Sequence, residues 1–150
     1  DAVNPVRTVY SLEPMGWMVP YDVATMRRLI DKVDRPGFGV HVDMCNMTAS
    51  PILAYTTGAS TRAFFGAFAS HIRSVHAKDI SLRPDLTAHI DEVVPGEGLF
   101  DYEALLTEAA KIPDLPVMCE HLRTSEEYDR AVAHIRSVAG RLGLTFDRAR

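Results

Sequence analysis

Four apolar runs in this chain each finish on a side chain of a metal-ligating type. They are Val9-Tyr10-Ser11-Leu12-Glu13, Phe38-Gly39-Val40-His41-Val42-Asp43, Ile72-Arg73-Ser74-Val75-His76 and Val117-Met118-Cys119-Glu120. In a parallel sheet or barrel the carboxyl ends of the strands gather on one face, so residues far apart in sequence can meet at a single ion. Charged residues ending four buried strands on one face are costly without a shared partner. Glu13, Asp43, His76 and Glu120 are therefore expected to form one metal site.

Between the runs the period changes to that of helices. Residues 22–33 place Val23, Met26, Leu29, Ile30 and Val33 on one helical face, with Asp22 as N-cap and Pro36-Gly37 closing the connection. Residues 61–71 offer Phe64, Phe65 and Phe68 at helical spacing, which reads as core rather than as a cofactor box. The third run is followed by an expected long loop over 78–98, ending in Pro95-Gly96-Glu97-Gly98, and then a helix over 101–111. A loop of that length in a compact domain is usually functional. After the fourth run, over 116–120, Thr124-Ser125-Glu126-Glu127 is a capping-box pattern opening a helix that carries Tyr128, Val132, Ile135, Val138 and Leu142.

Four strand-helix units with largely apolar strands indicate an α/β chain with a parallel sheet covered by helices. Ligand types on four consecutive strands favour a barrel over a doubly wound open sheet. A complete barrel of this type needs eight units and about 250 residues, whereas the chain has 150 residues and four units. We expect residues 1–150 to be a single partial barrel domain that lacks an amino-terminal half; no repeat or linker divides it.

Composition narrows the function. The net charge is −4 and the Arg residues are scattered, so there is no basic footprint for nucleic acid. No apolar stretch approaches the roughly 20 residues of a membrane span, and no signal-peptide pattern opens the chain; a cytoplasmic location is expected. Cys45 and Cys119 do not form a paired framework and are expected to be reduced, with no catalytic role.

Five short segments then carry a family resemblance: Leu12-Glu13-Pro14, His41-Val42-Asp43, His76-Ala77-Lys78-Asp79, Val94-Pro95-Gly96-Glu97-Gly98 and Glu120-His121-Leu122. Their order and placement over nearly the whole chain resemble the xylose isomerase-like TIM barrels, which include sugar phosphate isomerases and epimerases, inosose dehydratase and AP endonucleases. The resemblance implies a (β/α)8 fold, of which this chain would be the carboxyl-terminal half. It also implies that Glu13, Asp43, His76 and Glu120 are the family's four metal ligands, with Glu13 and Glu120 as an acid/base pair on opposite faces of the substrate. Three carboxylates and one imidazole lean toward manganese, with magnesium, cobalt and zinc also compatible.

The implied chemistry is proton transfer next to a carbonyl, through an enediolate, in a divalent-metal-dependent sugar or sugar phosphate isomerase or epimerase. Strand alternation points His41 the same way as Asp43. His41, Asn46, Lys78, Asp79, Trp17 and Arg83 are expected to bind substrate or support the ligands, with His121 a further pocket residue. Ketose 3-epimerases would carry a histidine and a glutamate where this chain has Asn46 and Val19, so that subfamily's substrate contacts do not carry over. A lyase or dehydratase on a keto-sugar or inositol derivative is the alternative, since the same enediolate can expel a neighbouring leaving group. An AP endonuclease would use more histidine ligands and a basic groove. A non-catalytic half barrel would expose strand edges, and self-association into a homo-oligomer would cover them.

Overall fold

The computed structural model describes residues 5–146. Four parallel strands form one sheet in the order β1, β2, β3, β6: β1 is Tyr10–Leu12, β2 Phe38–Val42, β3 Ile72–His76 and β6 Val117–Met118. Each is followed by helix, as expected: α1 (Val23–Val33) after β1, α2 (Pro51–Tyr55) and α3 (Thr57–Phe68) after β2, α4 (Tyr102–Ala109) after β3, and α5 (Ser125–Arg141) after β6. The register pairs Leu12 with Val40, Val42 with Val75, and His76 with Met118, which brings the carboxyl ends of neighbouring strands level.

The helices start where local chemistry dictates. Asp22 caps α1 by accepting from the Thr25 amide at 2.8 Å, and the Thr25 hydroxyl returns the favour to the cap backbone. Ser50 caps α2 ahead of Pro51, whose missing N–H is no loss at the first helical position. Asp101 caps α4 through the Ala104 amide at 2.9 Å. In α5 Thr124 accepts from the Glu127 amide at 3.3 Å, while the Glu127 carboxylate reaches past the cap to the Arg123 amide at 2.6 Å.

Helices and sheet meet over Met26, Ile30, Val40, Val42, Phe64, Phe65, Phe68, Ile72, Val75, Leu105, Ile135 and Val138, all buried. The three phenylalanines of α3 form the heart of this core, with Phe64 and Phe68 rings packed edge to face at 4.8 Å.

Four expectations need correction. The helix placed at 61–71 begins at Thr57 and ends at Phe68, because Thr57 and Thr61 are themselves buried and extend the apolar face backward. The long loop at 78–98 is largely an antiparallel hairpin, β4 (Asp79–Arg83) with β5 (His89–Val93), pairing Asp79 with Val93 and Arg83 with His89. The fourth strand is only two residues long. On α5 the buried positions are Ala131, Ile135, Val138 and Ala139, while Tyr128 and Val132 are exposed: small alanines, invisible to a search for bulky apolar residues, mark the inward stripe.

Candidate metal centre

The carboxyl ends of the four parallel strands converge. One ligand atom from each of Glu13, Asp43, His76 and Glu120 lies within 4.8 Å of the other three. His76 Nδ1 is the hub, at 2.9 Å from Glu120 Oε1, 3.4 Å from Glu13 Oε1 and 3.6 Å from Asp43 Oδ2. Three of the four residues follow the strand that delivers them by one or two positions, and His76 ends its own strand.

Two neighbours hold this set in place. Asn46, three residues beyond Asp43, donates from Nδ2 to Glu13 Oε1 at 2.8 Å, and its backbone amide donates to Asp43 Oδ1 at 2.9 Å. Lys78 is almost fully buried, with Nζ 2.6 Å from Glu120 Oε1, 3.1 Å from Asp43 Oδ2 and 3.3 Å from Asn46 Oδ1. It is therefore an interior cation rather than half of a surface salt bridge.

The donor set fits a divalent ion. Three carboxylates face one lysine, and the fully buried Asp43 Oδ2 shares that ammonium with Glu120. The negative charge left over is costly to bury, and a cation between the four donors offsets it. Oxygen-rich coordination with one imidazole suits hard or borderline metals.

The electrostatics of the two glutamates differ. Burial, followed by the Asp43 charge, raises the Glu13 pKa above the usual carboxylate value. For Glu120 burial acts in the same upward direction, but the hydrogen bond and charge of Lys78, helped by His76 and His121, outweigh it and hold its pKa low. Burial likewise pulls on Lys78, yet Glu120 and Asp43 win and its pKa is raised. Burial pushes both cysteine thiols up, so neither Cys45 nor Cys119 is set up as a nucleophile.

The remaining expected residues divide. His41 lies against the centre, its ring centroid 3.9 Å from that of His76, and burial lowers its pKa. His121 adopts φ 60°, a left-handed conformation unusual for a residue other than glycine, and its Nδ1 sits 3.2 Å from Lys78 Nζ. Asp79 points elsewhere: its carboxylate accepts backbone N–H groups from Ile80, Gly96, Gly98 and Phe100 at 2.8 to 3.1 Å, tying the hairpin to the loop before α4. Arg83 is spent on Asp91 at 2.6 Å and Asp85 at 3.7 Å, out on the hairpin. Trp17 is 81% exposed.

Sequence reasoning missed Glu92. Carried by β5, its Oε2 is 3.1 Å from His121 Nδ1 and 3.9 Å from Lys78 Nζ. The signal was present in the run His89-Ile90-Asp91-Glu92-Val93, which has turn-forming residues before it, but reading 78–98 as one loop hid it.

The description of the matching family model is a xylose isomerase-like TIM barrel, and it covers residues 6–138. The chain belongs to this family. A search of curated proteins gives no match. Among solved structures, a xylose isomerase domain protein from Planctomyces limnophilus is 24% identical, with a TM-score of 0.67 over 90% of this chain and 46% of its own. A xylose isomerase-like TIM barrel protein from Mycobacterium smegmatis, in complex with magnesium, is 16% identical, with a TM-score of 0.63 over 87% of this chain and 44% of its own. A D-tagatose 3-epimerase-like protein is 14% identical, with a TM-score of 0.68 over 90% and 48%. The chain thus spans about half the length of these relatives, and its four parallel strands correspond to half of a xylose isomerase-like barrel.

Proposed function

We propose that residues 1–150 form a single partial barrel domain carrying the metal centre of a divalent-metal-dependent isomerase or epimerase of a sugar or sugar phosphate. The observation that carries this reading is the convergence of Glu13, Asp43, His76 and Glu120, from four successive strand ends, to within 4.8 Å of one another. A divalent ion held there supplies positive charge against the oxygens of an enediolate and so lowers the cost of removing a proton next to a carbonyl.

The side chains supply the rest. Glu13 and Glu120 are the acid/base pair: they reach the centre from the two outer strands of the parallel sheet, β1 and β6, and a carboxylate at such a site can remove or return the proton. Asn46 orients Glu13 through its 2.8 Å hydrogen bond, and Lys78 orients Glu120 through its 2.6 Å contact. Asp43 and His76 complete the metal seat. Glu92 and His121, both more exposed than the ligands, are the groups at hand for sugar hydroxyls. Manganese is the first choice of ion for three carboxylates and one imidazole, and the magnesium in the Mycobacterium smegmatis relative supports a hard ion.

The test is incubation of the chain with a panel of ketoses and ketose phosphates, with manganese, in deuterated water. Deuterium is expected at the carbon next to the carbonyl, and Glu13→Gln or Glu120→Gln should abolish its entry. An unsaturated product in place of exchange would move the assignment to a dehydratase. The absence of both exchange and elimination across the panel would overturn it.

A further inference from the structure

Lys78 sits at a junction in the chain. β3 ends at His76 and β4 starts at Asp79, so residue 78 belongs to neither strand. Its side chain nevertheless carries the ammonium that touches Glu120, Asp43 and Asn46. A buried lysine aimed at three acceptors is only as well placed as the backbone it hangs from, and a misplacement of about 1 Å in such a site can cost about 100-fold in rate. With no strand ladder through residue 78, another contact has to fix its backbone.

That contact comes from Tyr102, the first residue of α4. The side chain is buried, and its hydroxyl donates to the Lys78 carbonyl at 2.9 Å. The Tyr102 ring is itself held edge to face by Phe100, at 5.4 Å between centroids, and by His134 of α5, at 5.2 Å. Burial pushes the phenol pKa up, so the hydroxyl keeps the proton it donates. The next residue is anchored to the same structure: Asp79 Oδ2 accepts from the Gly96 amide at 2.8 Å, and a Cβ at Gly96 would come within 2.5 Å of the His134 ring. The loop before α4, Tyr102 and α5 therefore brace residues 78 and 79 together. We infer that Tyr102 is a positioning residue for the centre, its hydroxyl setting the backbone from which Lys78 reaches Glu120 and Asp43. The inference rests on the metal-centre reading above and deepens it.

The test is manganese binding to the full chain, followed through the paramagnetic resonance signal of the free ion, in the wild type, Tyr102→Phe, Lys78→Met and the double variant. The ammonium competes with the ion for oxygens of Asp43 and Glu120. Loosening its seat should therefore raise manganese affinity in Tyr102→Phe about 3–10-fold, the size of one hydrogen bond's net contribution, whereas general damage to the fold would lower it. The same substitution should change nothing once residue 78 carries no ammonium, because its effect passes through that group. The comparison of the wild type with Tyr102→Phe stands even where Lys78→Met does not fold. Affinity unchanged or lowered in Tyr102→Phe, or raised equally in both backgrounds, overturns the role of Tyr102 and leaves the four-residue centre standing. Failure of the wild type to bind manganese overturns both.

Discussion

Lys78 Nζ lies 2.6 Å from Glu120 Oε1, and the lysine side chain is all but removed from solvent. The same ammonium reaches Asp43 Oδ2 at 3.1 Å, so one built-in cation spans two of the four proposed ligands. It holds the seat together when no metal is bound, and three carboxylates to one lysine still leave negative charge for an ion to neutralise.

Lys78→Met should therefore cost the metal-free protein stability, since removing one partner of a buried ion pair typically costs about 3–5 kcal/mol. Manganese should restore more stability to the variant than it adds to the wild type, because it replaces the missing charge as well as binding. Thermal melts of both proteins with and without manganese measure this; equal metal-induced shifts would contradict it.

Glu13→Gln should stabilise the metal-free protein at neutral pH while abolishing metal binding. The Glu13 pKa is raised in the folded state by burial and by Asp43, so its ionised form disfavours folding, and the penalty is present once the pH exceeds the folded pKa. Glutamine removes that charge and keeps an oxygen to accept from Asn46. Below the ordinary value of 4.5 the carboxyl is protonated in both states and the advantage should vanish. Melting temperatures of the two proteins at neutral and acid pH test the sign.

Glu120→Gln should show the opposite pH dependence. Its pKa is lowered in the folded chain by Lys78, against the pull of burial, so the carboxylate's stabilising contribution is fully present above the ordinary value of 4.5 and is lost as pH falls through the lower folded value. The variant should be less stable than the wild type at neutral pH and converge with it in acid. A difference that persists unchanged to the lowest pH would contradict the Lys78 pairing.

Asp79→Asn should be nearly as damaging as Asp79→Ala. Oδ1 accepts the Ile80 and Phe100 amides and Oδ2 accepts those of Gly96 and Gly98, so turning either oxygen into an NH2 group sets a donor against two donors. Each buried amide left without a partner costs about 1–3 kcal/mol. Hydrogen exchange at Gly96, Gly98 and Phe100 should accelerate in both variants; protection retained in Asp79→Asn would refute the loop-organising role.

The four proposed ligands were legible because strands deliver residues to one face regardless of their distance in sequence, and Glu13, Asp43, His76 and Glu120 each sit at or just past a strand end. The alternation that pointed His41 inward worked for the same reason. Lys78 and Asp79, adjacent in sequence, were not separable in advance. Which of the two faces the ligands depends on β4 starting at Asp79 and pairing with β5, and that hairpin was hidden by the turn-forming residues around Pro84 and Asp85. Glu92 was lost with it. Arg83 was expected near the site by residue type alone, and residue type does not report that a hairpin side chain pairs with Asp91 and Asp85 instead.

The most direct test of the metal centre is an anomalous diffraction map from crystals of the chain grown with manganese. One peak is expected within bonding distance of Glu13, Asp43, His76 and Glu120 together. Four well-ordered side chains in the arrangement described here with no peak among them, under conditions where manganese is in excess, would contradict it.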